Sequence, residues 1–129
     1  MHLCRLGWHG LDPGPVEATS YESARRKNEE AYRETFRDVP EIVLPPGSVG
    51  VLSHFSVLIP AELRDRAQAK LWRRGVDSGT QYVFPPYLDP AAFPQSLRAS
   101  QFILNIPMGN KIPPDTIRWI AEQLKTSLQ

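Results

Sequence analysis

The sequence predicts an α/β chain arranged as an α+β sandwich. A small sheet of two to four strands is covered on one face by helices and preceded by a long N-terminal helix. Three observations carry this. Residues 53–59 alternate, placing Phe55, Val57 and Ile59 on one side and His54, Ser56 and Leu58 on the other, the period of a half-buried strand. Leu63, Ala67 and Leu71 recur every four residues, and Ile117, Ile120, Ala121, Leu124 and Leu128 form the clearest helical stripe in the chain. Residues 101–106 are a second apolar run of strand length. Helices at 61–74 and 114–128 are therefore expected to cover the sheet.

Taken in order, residues 1–19 hold Gly7, Gly10, Pro13, Gly14 and Pro15 and read as loop. Thr19 or Ser20 is placed to cap a helix running to about Asp38, with Glu22 and Ser23 as polar first-turn residues. The apolar positions of that helix (Tyr21, Ala24, Ala31, Tyr32 and Phe36) make a thin stripe. It is expected to pack on something outside this chain or to bridge two units. Pro40, Pro45, Pro46, Gly47 and Gly50 then break the chain around a short extended piece at Val43 and Leu44. Pro60 ends the first strand and opens the next helix at its first turn. Gly75 suits the left-handed residue after a helix end. Residues 76–83 are expected to be extended around Gly79. The prolines of 84–90 exclude a continuous helix there, and 93–100 is expected to be a short helix. Pro113 and Pro114 open the last helix, with Asp115 in the first turn where a negative charge is favourable.

Composition narrows the function classes. Apolar residues make up 41% and charged residues 22% of the chain, the balance of a globular protein. A net charge of +1 supplies no bulk attraction to nucleic acid or to an anionic membrane, and neither is expected as a partner. No apolar run approaches the roughly 20 residues of a membrane span. The single cysteine, Cys4, excludes an internal disulfide, has no nearby base to activate it, and suits a cytoplasmic location. His2 and His9 have no cysteine or carboxylate at ligand spacing, so no metal site is expected.

The runs His54-Phe55-Ser56-Val57-Leu58-Ile59-Pro60, Leu63-Arg64-Asp65, Arg74-Gly75-Val76-Asp77-Ser78-Gly79-Thr80 and Phe102-Ile103-Leu104-Asn105-Ile106-Pro107-Met108 follow one another in a recognisable order and spacing. The set resembles the small C-terminal domain of the DegT/DnrJ/EryC1/StrS sugar aminotransferases, fold-type I enzymes that use pyridoxal phosphate (PLP). Upstream, residues 5–12 are similar to the family's stretch shortly past its cofactor lysine. Arg25, Arg26, Lys27, Asn28, Ala31 and Tyr32 are similar to the helix joining its large and small domains. The resemblance implies a division into a loop-rich remnant of a larger domain (1–19), a linking helix (20–38) and a small C-terminal domain (39–129). It also implies that the cofactor lysine and phosphate cradle lie in a large domain this chain lacks. None of Lys27, Lys70, Lys111 and Lys125 stands at the family's lysine motif, and no glycine-rich turn opens a helix after a strand. No catalytic or cofactor-binding residue is therefore assigned. PLP is expected only in the intact enzyme, with a nucleotide sugar as its substrate. The partner is expected to be the missing large domain or a full-length homologue.

The resemblance also supplies candidate substrate-lining residues. His54 matches a histidine at the start of the small domain's first strand; its other reading is a hydrogen-bonded histidine at a sheet edge. Gln81, Tyr82 and Tyr87 fall in the segment that shapes the family's sugar pocket. Tyr82 matches a family tyrosine, and Tyr87 stands near the place where the family often has a histidine. Their other reading is as aromatic loop residues covering apolar surface. Trp119 lies about 200° around its helix from Ile117, which turns it away from the stripe and marks it as a candidate interface residue. Arg66, Lys70 and Arg73 share a helix face interspersed with Glu62 and Asp65 and read as solvated. Two functions follow: the C-terminal portion of an aminotransferase, inactive alone, or a non-enzymatic docking or oligomerisation module for a full-length relative.

Overall fold

The computed structural model describes residues 14–47 and 53–129. The expectations for residues 1–13, including Cys4, His2 and His9, lie outside the described residues.

Helix α1 spans Gly14–Phe36, so residues 14–19 are helical rather than loop, and the helix ends two residues before Asp38. Its start is early because Pro15 falls in the first turn, where a missing N–H costs nothing, and Glu17 and Ala18 favour helix. Thr19 and Ser20 thus fall inside the helix rather than at its start. The thin stripe also behaves differently from expectation. From Asn28 onward the helix is part of this chain's own core: Asn28, Ala31, Tyr32 and Phe36 are buried, and the helix packs on the last helix, α4 (Pro114–Ser127). Two large aromatics at i and i+4 compensate for the scarcity of apolar positions. Only the N-terminal half, with Tyr21 at the surface, fits the picture of a helix reaching beyond its own domain.

The sheet has two strands, β1 (His54–Leu58) and β2 (Ile103–Pro107), paired antiparallel with Phe55 opposite Ile106 and Ser56 opposite Asn105. Val43 bridges Leu58 at one edge and Gly79 bridges Asn105 at the other. The extended pieces expected around 43 and 79 therefore flank the strands without lengthening into strands themselves. The alternation is realised as read: Phe55, Val57, Ile59, Leu104 and Ile106 are fully buried, and the opposite face is left to Ser56 and Asn105. β2 begins two residues later than expected, because helix α3 (Pro94–Phe102) keeps Gln101 and Phe102 in its last turn.

Helix α2 (Ala61–Arg73) follows Pro60, which stands one position before the helix as its N-cap. Ala67 and Leu71 are buried and Leu63 is partly so. Its C-terminal end is a Schellman turn: Val76 N–H donates to Leu71 O and Gly75 N–H to Trp72 O, both at 3.0 Å, with Gly75 at φ +79°. Trp72, off the stripe and exposed, donates through Nε1 to Ser78 O, as does Gln68 through Nε2 (both 2.9 Å). These bonds fasten the segment leading to Gly79. In α4, Ile117, Ile120, Ala121 and Leu124 are all buried against α1 and α2.

At the centre of the core Tyr32 lies between Phe36 and Phe55, with ring centroids 5.8 and 5.1 Å away. Its hydroxyl donates to Pro107 O at 2.5 Å, tying α1 to the end of β2. Burial pushes the Tyr32 phenol above its ordinary value of 10.0. The unfolded chain therefore loses this proton first, so the contribution is present below pH 10 and is lost as pH rises beyond it. Urea unfolding between pH 8 and 11 should show wild type losing stability at the alkaline end, and Tyr32→Phe losing distinctly less. Parallel losses in the two proteins would contradict this. Among the described residues no helix is long and apolar enough to cross a membrane.

Candidate functional site

The helices cover one face of the sheet, and the other face carries the polar side of each strand. Asn105 organises it. Its backbone pairs with Gly79 in both directions, at 2.8 and 3.0 Å. Its side-chain Oδ1 accepts from Ser56 Oγ at 2.5 Å, and its Nδ2 donates to Gln81 O at 3.1 Å. One residue thus links β1, β2 and the segment 79–81. Neither Ser56 nor Asn105 stood out as functional in the sequence, although an asparagine centred in the apolar run of 102–106 was a visible signal.

His54 lies on the same side of β1 as Ser56, two residues away, at the exposed end of the strand opposite Pro107. Its Nδ1 lies 3.2 Å from Ser53 Oγ, the environment of a hydrogen-bonded sheet-edge histidine. Gln81 is exposed and joins the face through its carbonyl. Tyr82 and Tyr87 are 80% and 84% exposed, and Val83 and Phe93 are exposed as well. Among the described residues no hydrogen bond or ring contact joins either tyrosine to His54 or Gln81. His54 and the Gln81 carbonyl thus lie on the sheet face, and the two tyrosines are largely exposed.

Ser56, Asn105 and the Gln81 carbonyl meet through hydrogen bonds alone and form no acid–base pair among themselves. Ser56 Oγ donates to an amide oxygen, which cannot take its proton. Among the described residues no cluster of histidine, cysteine and carboxylate groups is suited to a metal ion. The arrangement can bind and orient a polar partner. Trp119 is 46% exposed on α4, turned off the buried stripe as its position indicates.

A second concave region lies between α1 and the turn before α4. This groove of about 860 Å³ is lined by Ser20, Ser23, Lys27 and Asn28 on one side and by Asn110 to Pro114 on the other. Asn28 Nδ2 donates to Gly109 O (3.0 Å) and Ile112 O (3.1 Å) and holds the two sides together.

No family model and no curated protein matches the sequence. Solved structures do match the fold. DesV of S. venezuelae, solved with a ketimine intermediate, superposes at a TM-score of 0.77 with 21% identity, over 88% of this chain and 33% of DesV. The sugar aminotransferase CalS13 of Micromonospora echinospora gives 0.68 and 12%, over 82% and 30%. A DegT DnrJ EryC1 StrS aminotransferase of Brucella abortus gives 0.63 and 24%, over 79% and 30%. The chain shares its fold with about one third of these aminotransferases. At these identities the likeness is one of fold, and it agrees with the arrangement the sequence motifs imply.

Proposed function

We propose that this chain is the small C-terminal domain of a PLP-dependent aminotransferase acting on nucleotide-linked keto sugars, and that it is not catalytic by itself. The observation that supports this best is the coverage: 79–88% of the chain superposes on only 30–33% of the aminotransferases it matches. In the assembled enzyme the uncovered sheet face, with His54, Ser56, Asn105 and Gln81, forms one wall of a cleft. Tyr82 and Tyr87 extend that wall toward the sugar, and Trp119 meets the remainder of the enzyme. The proposed setting is the cytoplasm.

A PLP site needs an amine nucleophile beside a phosphate cradle and a partner for the pyridinium nitrogen. The lysines here do not build one. Lys70 Nζ donates to Ser127 O, Lys125 pairs with Glu122, and the groove holding Lys27 and Lys111 is lined by no carboxylate among the described residues. The residues do not fit the cofactor, which supports its being held by groups outside residues 14–129.

The test is an absorbance titration of the purified chain with PLP, followed by borohydride reduction and peptide mapping. The expected result is no stoichiometric adduct at any one lysine. A one-to-one adduct at a single lysine would overturn the proposal. The exposed Trp119 also favours a second reading, a docking module for a full-length aminotransferase. Co-purification with an already active enzyme, rather than restoration of activity to an inactive large domain, would select it.

A further inference from the structure

We propose that Asn105 is a positioning residue: its carboxamide, oriented by Ser56, fixes where the chain leaves the sheet at Gln81 and so sets the placement of Tyr82. The clamp stands on this chain's own geometry. Only the statement that Tyr82 faces a sugar rests on the aminotransferase reading, which the clamp deepens.

The hydrogen bonds divide the segment at Gly79. Up to that point it is held from two sides. Ser78 O accepts from Trp72 Nε1 and Gln68 Nε2 of α2, and Gly79 exchanges both backbone bonds with Asn105. Beyond Gly79 the hold is single. Among the described residues, the bond from Asn105 Nδ2 to Gln81 O at 3.1 Å is the one hydrogen bond joining residues 80–84 to the rest of the chain. Gln81, Tyr82 and Val83 are exposed, so packing does not replace that bond.

The position demands a donor and an acceptor on one short side chain. Gln81 O is a carbonyl and can only accept, so Nδ2 must face it, and Oδ1 is left to accept from Ser56 Oγ at 2.5 Å. Ser56 is the register partner of Asn105 on β1 and fixes the rotation of the amide from the neighbouring strand. An ionised aspartate has the same shape but sets an acceptor against Gln81 O. A protonated aspartate again has one donor and one acceptor. The bond to Gln81 is exposed, so its removal frees 80–84 at small cost to the fold.

The test is backbone amide nitrogen relaxation by NMR on the intact chain, read at residues 80–84, with thermal melting alongside. The proteins compared are wild type, Asn105→Ala, Asn105→Asp, Ser56→Ala and the Ser56→Ala/Asn105→Ala double variant. In Asn105→Ala, residues 80–84 should become mobile while 76–79 stay ordered and melting falls by no more than a few degrees. Ser56→Ala should give a smaller effect of the same kind and add nothing in the double variant, because it acts through Asn105. Asn105→Asp should be mobile at neutral pH and ordered again below about pH 4, where the carboxyl takes up a proton. Wild type over the same range corrects for His54, the ionisable residue on that strand. Unchanged order at 80–84 in Asn105→Ala would overturn the proposal. So would mobility spread over the whole chain with a large loss of melting temperature, which is a structural role alone, or full addition of the Ser56→Ala effect in the double variant. If acid unfolds the chain, the two alanine substitutions decide the matter by themselves. No cofactor or sugar enters the measurement, so a PLP adduct that overturned the aminotransferase reading would leave this result untouched.

Discussion

Phe55→Ala is expected to destabilise the fold by about 3–5 kcal/mol, the range for truncating a buried aromatic. Phe55 is fully buried on the covered face of β1, and its ring lies 5.1 Å from Tyr32 and 6.5 Å from Phe36. The three rings come from the first helix and the first strand, so one deletion opens a void between separate elements that cannot close by a local side-chain shift. Arg33 also lies over the Phe55 ring, 5.6 Å from its centroid, and loses that contact. A small domain has only about 5–15 kcal/mol in total, so a large part of its stability rests on this side chain. Urea denaturation reads the effect directly as a drop in midpoint. A loss below about 1 kcal/mol, far under the usual cost, would mean that the aromatic cluster is not the centre of the core.

Asn28→Leu is expected to cost about 2–4 kcal/mol, because two carbonyls lose their donor at once and each unsatisfied group costs about 1–3 kcal/mol. Leucine approximates the size of the side chain, so the loss reports the hydrogen bonds more than the packing. The carbonyls belong to Gly109 and Ile112, far away in sequence, and they shape the turn that leads into α4. Thermal unfolding should show the global loss, and amide exchange should show the turn at 109–112 opening first. Unchanged exchange there would separate Asn28 from the turn and contradict the prediction.

The parts of the fold legible in the sequence are those with a periodic pattern and a buried face. Residues 54–59 and 117–124 have both, and their burial follows the pattern; at the end of the last helix Ser127 is buried and Leu128 only partly so. Helix α3 begins one residue and ends two residues later than the sequence indicates, because it buries no residue completely and leaves no stripe to read. The packing of α1 is hard to read for a related reason. Its contribution to the core is concentrated in Tyr32 and Phe36, with a buried asparagine a turn earlier, and a count of apolar positions undervalues it. His54 and Gln81 share the open sheet face, but the residue that joins its segments, Asn105, acts through its amide. Polar bonding between segments distant in sequence has no periodic signature.

The single-residue bridges at Val43 and Gly79 bear on how copies of this chain coexist at high concentration. A sheet of two five-residue strands would ordinarily offer long unpaired rims to other molecules. Here each rim is capped by a segment that pairs at one position and then runs into a proline pair, Pro45 and Pro46 on one side and Pro85 and Pro86 on the other. Proline has no N–H to donate to an incoming strand. The prolines therefore limit how far an added strand could pair along either flanking segment.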